Sequence, residues 1–293
     1  MRQFTAIINP TAGGKAGAAD FIPLARLLRE AGAEVEVSYS RSLDHAAGLA
    51  REAAAQERTV LAVGGDGMAG SVGGAVAGTD AVCGFVPAGR GNDFARALGL
   101  PAETDQLAEL LLRGEPRAVD AVRLTSEAHP GTAVLGSVYA GVDAVANRYA
   151  NESRLLRGSA SYYAGALRAV LGWRPAAYRL TVDGTVHERR GYTVVVANSG
   201  YYGFGRQIAP GAKVDDGQLE VVVINHAPKR LFFAVMNDLK DGSHVERPEV
   251  EVFSGAEIRI EADRPLPYGA DGEVTATLPV TARVMPGALR VLA

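Results

Sequence analysis

Two glycine-rich turns hold the residues whose types and spacing can do chemistry. Gly64-Gly65-Asp66-Gly67 follows the apolar run Val60–Val63, and Pro87-Ala88-Gly89-Arg90-Gly91-Asn92-Asp93 follows Ala81–Val86. A backbone N–H reaches a phosphate oxygen closely only where no Cβ intervenes, so both turns suit a phosphate cradle. Asp66 is the informative residue. A lone carboxylate repels a polyphosphate, so its place inside such a turn predicts a cation between the two, most simply Mg2+. Gly65-x-Gly67-x-x-Gly70 formally matches the dinucleotide fingerprint. That motif binds pyrophosphate without a metal, however, and has no use for Asp66. Glycines that merely permit tight turns explain one such loop well, and two in succession less well.

Other segments offer weaker signals. Asn9-Pro10-Thr11-Ala12-Gly13-Gly14-Lys15 is compatible with phosphate, yet it is no Walker A sequence, since Asn9 stands where glycine is required and Ala16 where Ser or Thr is required. Asp215 and Asp216 precede Gly217, and Ala270-Asp271-Gly272-Glu273 is a second acidic turn. Asp-Gly is a common turn pair, so neither marks a site by itself. The five histidines lack ligand spacing and the single cysteine cannot complete a zinc site. There is no Gly-x-Ser-x-Gly elbow to support a serine hydrolase.

Positioning these turns requires a sheet. Residues 4–8, Val35–Ser38, Val60–Val63 and Ala81–Val86 read as buried strands. They alternate with helical patterns at Phe21-Leu24-Leu27-Leu28, Ala46–Ala55 and Leu107–Leu112, the rhythm of a parallel α/β domain. From Val119 onward the pattern changes to alternating stretches: Ala133–Tyr139, Tyr178–Val182, Tyr192–Ala197, Leu219–Ile224, Val250–Phe253 and Glu257–Ile260. Asp183-Gly184 and Asp271-Gly272 are among the turns between them. Helices are expected at Val142–Asn151, Tyr162–Leu171 and Lys229–Leu239. The expected fold is thus α/β plus β: a nucleotide-binding parallel domain over 1–120, then an antiparallel β-sandwich with inserted helices over 121–287.

The totals agree with that plan. At 293 residues, 47% hydrophobic and 22% charged, the chain suits two globular domains. No apolar run approaches the ~20 residues of a membrane span, and the N-terminal apolar stretch is short for a signal peptide. The lone Cys83 excludes an intrachain disulfide and fits a reducing, cytoplasmic setting. A net charge of −3 argues against a nucleic-acid partner, while local patches still permit peripheral membrane contact.

Taken together, Gly64-Gly65-Asp66-Gly67 and Pro87-Ala88-Gly89-x-Gly91-Asn92-Asp93-Phe94-Ala95-Arg96 resemble the diacylglycerol kinase catalytic family, in particular its bacterial soluble lipid kinases. NAD kinases share the first loop and belong to the same superfamily; the Gly-Asn-Asp-Phe-Ala segment favours the lipid branch. The resemblance implies an NAD-kinase-like N-terminal domain, a C-terminal β domain to which 288–293 do not belong because they return to the first, and a cleft between the two. It implies ATP phosphates along Gly64, Gly65, Gly67, Gly89, Arg90 and Gly91, with Asn9, Ser40 and Asn92 near the nucleotide. Asp66 is then expected to act through a catalytic Mg2+. A structural Mg2+ is expected on the Asp216 carboxylate and the carbonyls of Lys213 and Gln218, with Glu273 as general base. The reaction implied is transfer of the γ-phosphoryl group to a lipid hydroxyl, most simply that of diacylglycerol, by a protein that docks transiently on a membrane and that is compatible with a homodimer.

Departures from the family pattern are Met68 in place of threonine, Gly70 and Ser71 where Asn and Glu are often found, and Arg90 in place of threonine. Arg90 offers a replacement phosphate donor. Tyr201, Tyr202 and Phe204, in an Asn-x-x-Tyr-x-Gly run, are read as core packing or lipid contacts. Two other readings stay open: an NAD kinase, and a regulator that binds nucleotide or lipid without turnover.

Overall fold

The computed structural model describes residues 2–10, 16–152 and 159–293. In the first half the chain runs β1 (Gln3–Ile8), α1 (Ala16–Glu30), β2 (Glu34–Tyr39), α2 (Leu43–Ala55), β3 (Thr59–Gly64), α3 (Asp66–Val76), β4 (Val82–Pro87), α4 (Asp93–Ala97) and α5 (Thr104–Arg113). β1 pairs in parallel with both β2 and β3, and β3 pairs in parallel with β4. β1, β3 and β4 are largely apolar on both faces because both faces are covered, whereas the edge strand β2 exposes Glu34 and Glu36. Phe4, Ile8, Leu61 and Val63 pack on Phe21, Leu24 and Leu28 of α1 and Leu107 and Leu111 of α5. The alternate residues Ile7, Val60 and Ala62 pack on Ala46, Ala50 and Ala53 of α2 and Val72 and Val76 of α3.

The second half contains β5 (Pro116–Thr125), β6 (Pro130–Val134), β7 (Ser137–Gly141), α6 (Val142–Glu152), α7 (Ser159–Gly172), β8 (Ala176–Val182), β9 (Thr185–Ala197), β10 (Tyr201–Tyr202), β11 (Arg206–Gln207) and β12 (Leu219–Asn225). It continues with α8 (Lys229–Asp238), β13 (Val250–Gly255), β14 (Glu257–Ala262), β15 (Pro267–Ala270), β16 (Glu273–Thr277) and β17 (Val280–Leu292). Apart from the end of β17, its pairings are antiparallel. β9 is its hub, bonded to β7, β8 and β12, and its Val194–Ala197 run is fully buried.

β17 joins the two halves. It pairs antiparallel with β14 and β5, shifts register between Met285 and Leu289, and ends parallel to β4 with Arg290 opposite Val82. Leu289 and Val291 lie in the core of the first half. The parallel strands and most of the antiparallel ones therefore share one hydrogen-bonded sheet.

Several strands differ from the sequence reading, among them β5, β15 and β16, which it does not name. The stretch Ala133–Tyr139 is two strands, β6 and β7, because the intervening backbone bonds to side chains instead of a ladder: Asn198 Nδ2 donates to Leu135 O at 2.8 Å, and the Asp271 carboxylate takes the N–H groups of Leu135 and Gly136. Residues 280–287, not foreseen as a strand, form most of β17. The Asp183-Gly184 and Asp271-Gly272 turns do close hairpins, with positive φ at both residues of each pair.

Since β17 is central to both halves, truncating one of its buried side chains is expected to weaken the whole protein. Leu289→Ala should cost about 2–5 kcal/mol in denaturant unfolding, with both halves losing protection together in hydrogen exchange. Loss of protection confined to the second half would contradict this coupling.

Candidate active site

β3 and β4 end side by side, and their turns pack backbone against backbone. Ala88 N donates to Gly64 O at 2.9 Å, and a Cβ on Gly89 would lie 2.3 Å from Gly65 Cα. Close approach therefore requires glycine here, whatever else the loops bind. Asn92 adopts a left-handed conformation, and its amide bonds Gly89 N and Gly89 O at 2.9 and 3.0 Å, closing the second turn. Asp66 opens α3 and accepts from Phe94 N at 3.1 Å, tying that helix to α4. A Cβ on Gly91 would meet the other Asp66 oxygen at 2.7 Å. The two turns are one unit.

Two further carboxylates complete the site. Asp93, on α4, accepts from Phe204 N at 3.1 Å and Gly205 N at 2.6 Å, and lies 3.2 Å from the Arg96 guanidinium. It carries the first half onto the β10–β11 turn of the second. Asp271 comes the other way. It accepts from Leu135 N at 2.8 Å and from Gly136 N and Ser137 N at 2.8 and 3.2 Å, and its Oδ2 would touch a Cβ on Gly70 of α3 at 2.7 Å. Burial raises both carboxyl pKa values and the Asp66 charge raises them further, against the lowering effect of the backbone donors.

Asp66, Arg90, Asp93 and Asp271 line one cavity of about 330 Å3 between the halves, with Tyr139, Asn147, Tyr201 and Tyr202 among its other walls. Asn147 of α6 donates to Tyr139 Oη at 2.7 Å and to Gly272 O, fixing the Asp271-Gly272 hairpin. Asp143, near the start of α6, is a fourth carboxylate on this wall. Burial pushes its pKa up to about 6. Thr193 Oγ1 lies 2.8 Å from Ala140 O and 3.0 Å from Asp143 Oδ2. The one hydroxyl proton can serve only one of these acceptors, whereas a carboxyl carrying its own proton satisfies the set.

The residues singled out in the sequence fall into groups. Gly64, Gly65, Asp66, Gly67, Gly89, Arg90, Gly91 and Asn92 are contiguous at the strand ends, and the exposed Arg90 stands at the cavity edge. Asn9 follows β1, and Ser40 is buried nearby with Oγ 3.3 Å from Ile8 O. Thr11–Lys15 lie outside the described residues. The same holds for the Glu273 side chain; its backbone opens β16 opposite Ala270, one residue beyond the turn that carries Asp271. Lys213, Asp216 and Gln218 are exposed on a separate loop, where Asp216 Oδ1 accepts from Gln218 N at 3.0 Å. Asp120 anchors that loop through Gly217 N at 2.7 Å. Among the described residues no group of three or more His, Cys, Asp or Glu could hold a metal. A carboxylate with backbone carbonyls is nonetheless a hard-oxygen set that suits Mg2+.

Met68 and Ser71 do not face the cavity. Met68 is 2% exposed, in the core beneath Gly64, and Ser71 Oγ donates to Leu43 O at 2.6 Å. Sequence reasoning passed over Asp93, Asp143 and Asp271 as site residues. Asp143 had a signal: it is the one charged residue within the apolar run Val138–Ala146.

The Asp143 environment predicts a pH-dependent stability. Its folded pKa lies above the unfolded value, so its contribution is complete below about pH 4 and is lost as pH rises through about 6. Asp143→Asn, whose amide donates to Thr193 Oγ1 at any pH, should stabilise the protein at pH 8 by on the order of 2 kcal/mol and by much less at pH 4.5. Urea unfolding at the two pH values checks this; an equal effect at both would refute it.

Comparison with known proteins matches this geometry to a family. Residues 3–124 match the diacylglycerol kinase catalytic domain, and residues 136–293 match the YegS C-terminal NAD kinase beta sandwich-like domain. The chain is 31% identical to a diacylglycerol kinase of Mycobacterium tuberculosis, over 99% of this chain and 94% of that one. It is also 31% identical to a probable YegS-like lipid kinase of Chromohalobacter salexigens, over 89% and 85%. A crystal structure of a putative diacylglycerol kinase from Bacillus anthracis has the same fold, with a TM-score of 0.78 at 22% identity, over 99% and 97% of the two chains. The two family matches meet on either side of the acid-lined cavity, and the chain belongs to the diacylglycerol kinase catalytic-domain family, among its bacterial lipid kinases, which are phosphotransferases with an alcohol acceptor.

Proposed function

We propose that the chain transfers the γ-phosphoryl group of ATP to a lipid hydroxyl in a Mg2+-dependent reaction, with diacylglycerol as acceptor and phosphatidic acid as product. The observation that carries this reading is the cavity itself, where Asp66 from the first half and Asp271 from the second face one another beside two glycine turns. Four carboxylates and Arg90 line it, so the wall is acidic overall. A triphosphate would be repelled from such a wall unless a cation accompanied it. The Asp66 carboxylate is the candidate ligand, and a bound cation would neutralise charge on the phosphates.

The remaining roles fall to this chain's own groups. The turn backbones at Gly64–Gly67 and Gly89–Gly91 would hold the phosphates, with Arg90 reaching them from the edge. Glu273 would accept the acceptor hydroxyl's proton as the oxygen attacks. A carboxylate is a weak base, so its position matters more than its basicity in a loose transition state. Asp271 and Asn147 would set that position by fixing the hairpin that leads into Glu273. Among the described residues no helix is long and apolar enough to cross a membrane. The lone Cys83 suits a reducing compartment, and we infer that the protein works in the cytoplasm and meets its lipid by transient docking at the bilayer surface.

The deciding assay offers labelled ATP with diacylglycerol, other hydroxyl lipids and NAD in parallel. Label in phosphatidic acid is the expected result; transfer to NAD alone would overturn the lipid reading, and nucleotide binding without any transfer would point to a regulator. Glu273→Gln should lower kcat by about 10²–10⁴-fold with little change in ATP affinity. Asp66→Asn should lose comparable activity and, unlike Glu273→Gln, shift the Mg2+ concentration needed for half-maximal rate upward. Arg90→Ala should raise the KM for ATP; an unchanged KM would remove Arg90 from the phosphate site.

A further inference from the structure

Among the described residues, five that are not glycine have positive φ. Asn92, Asp183 and Asp271 are of types that tolerate it, and Glu57 follows the end of α2. Phe204, at φ 71°, is the one aromatic residue of the five, and its neighbours Gly203 and Gly205 are left-handed as well, at 55° and 82°. For such a side chain that backbone is costly, and it persists only where the surroundings impose it. Here α4 imposes it. Asp93 accepts from both Phe204 N and Gly205 N, so the turn is a nest of successive N–H groups around one carboxylate. Arg96 of the same helix lies over the Tyr201 ring, 5.6 Å from its centroid. The nest uses backbone alone, and glycine would supply it without strain, as it does at 203 and 205. The ring is what the strain retains.

That ring belongs to the reacting centre. Phe204 lines the acid-lined cavity and is 49% exposed. Contacts in series give its place: a Cβ on Gly91 would lie 2.7 Å from Asp66 Oδ2 and 3.3 Å from Asp93 Oδ2, and the same Asp93 oxygen takes Phe204 N at 3.1 Å. Phe204 therefore stands one carboxylate away from Asp66 and from the Gly89–Gly91 turn. An aromatic ring there can neither ligate a cation nor donate to a phosphate. What it can do is displace water from beside them.

We infer that Phe204 sets the preference for transfer over hydrolysis, its strained turn holding the ring where it keeps water from the γ-phosphoryl group while the acceptor is seated. This rests on the phosphoryl-transfer reading above and adds to it the residue that guards the reaction. In transfer, the acceptor oxygen bonds to the γ-phosphorus as the bond to the bridging oxygen breaks; the electron pair leaves with ADP, and the hydroxyl proton passes to Glu273. Water attacking in its place breaks the same bond and yields ADP, inorganic phosphate and a proton. Water is smaller than any alcohol acceptor, so a cavity cannot reject it by size and must fill its place instead. α4 starts directly after the Gly89–Asn92 turn, so the shield and the phosphate turn keep a fixed relation.

The test uses the intact chain with Mg2+, ATP and diacylglycerol in neutral detergent micelles, and counts ADP released against lipid phosphorylated. The unaltered chain should release about one ADP per phosphorylated lipid, Phe204→Ala and Phe204→Gly about two or more, and Phe204→Tyr about one again. Phe204→Gly should also exceed Phe204→Ala in urea stability by about fivefold in the folding equilibrium constant, because alanine keeps the left-handed cost and glycine does not. A one-to-one ratio in both variants, with ATP bound as tightly as by the unaltered chain, overturns the assignment. Equal stability of the two overturns its premise, a strained turn. Phe204→Trp supplies a readout that needs no turnover. Trp173, the chain's one tryptophan, is 8% exposed, so acrylamide quenching reports mainly on the introduced indole. That quenching should fall about threefold when Mg2+, a non-hydrolysable ATP analogue and diacylglycerol are present together; no fall overturns the assignment. A protected indole, with no lipid phosphorylated by the unaltered chain, would sink the lipid-kinase reading and leave the shield standing. Phosphorylation with an unprotected indole would do the reverse.

Discussion

Carboxylates bonded by backbone amides tie distant parts of this molecule together. Asp66 takes Phe94 N, Asp93 takes Phe204 N and Gly205 N, and Asp271 takes the N–H groups of Leu135, Gly136 and Ser137. Asp120 does the same at the junction of the halves, binding Gly217 N and Gly287 N at 2.7 Å each. A hydrogen bond to a charged acceptor contributes about 1.5–3 kcal/mol, and an amide, unlike an arginine, cannot swing away. Each acid therefore fixes a specific piece of backbone, and in Asp93, Asp120 and Asp271 that piece brings distant parts of the chain together. The cost is burial first and repulsion second: loss of water raises the pKa values of Asp93 and Asp271, and the charge of Asp66 in the same cavity raises them further.

The sheet extends the same constraint to larger scale. A cleft between two independent domains could open freely, whereas here β17 is bonded to β4 on one side and to β5 and β14 on the other. The two halves that carry the cavity walls are consequently joined by covalent chain and ladder hydrogen bonds. The exposed Arg90 and Phe204 are among the residues that line the cavity. The glycine turns serve this rigidity as well as any ligand, since Gly65 and Gly89 are in backbone contact. Their sequence signature overlaps with that of a packing requirement, because one absent Cβ serves both ends.

Sequence legibility followed the range of the interaction. Parallel strands and their helices were readable because continuous apolar runs, helical spacing and glycine stops are local signals, and Val60–Gly64 and Val82–Pro87 fall where the apolar runs place them. The glycine turns and Asp66 were readable because their chemistry is written in adjacent residues. The acids that complete the site were not. Asp271 looked like an ordinary hairpin residue, and it does occupy the turn; its carboxylate, however, reaches back to 135–137, more than a hundred residues away. Asp93 was quoted only as part of a motif, yet its partners are at 204 and 205. No local pattern encodes such pairings. The Ala133–Tyr139 stretch was read as one strand for the same reason, because alternation of apolar residues says nothing of a distant asparagine and aspartate that claim the backbone between them.

The departures from the family pattern become coherent in this light. Met68 fills the core beneath Gly64, and a threonine hydroxyl at that depth would need a partner among apolar neighbours. Ser71 is engaged with the carbonyl of Leu43, the first residue of α2, so it stabilises helix packing away from the cavity. Gly70 is tied to Asp271, because any side chain there would meet the carboxylate at 2.7 Å. With Asn at position 70, a side chain and the Asp271 carboxylate would compete for the same space, and one or the other would have to move. Glycine lets Asp271 seat fully against α3 while keeping its three amide partners. A substitution that looks like the loss of a polar contact in the first half thus fits an acid contributed by the second, and the two positions are best understood as one contact between the halves.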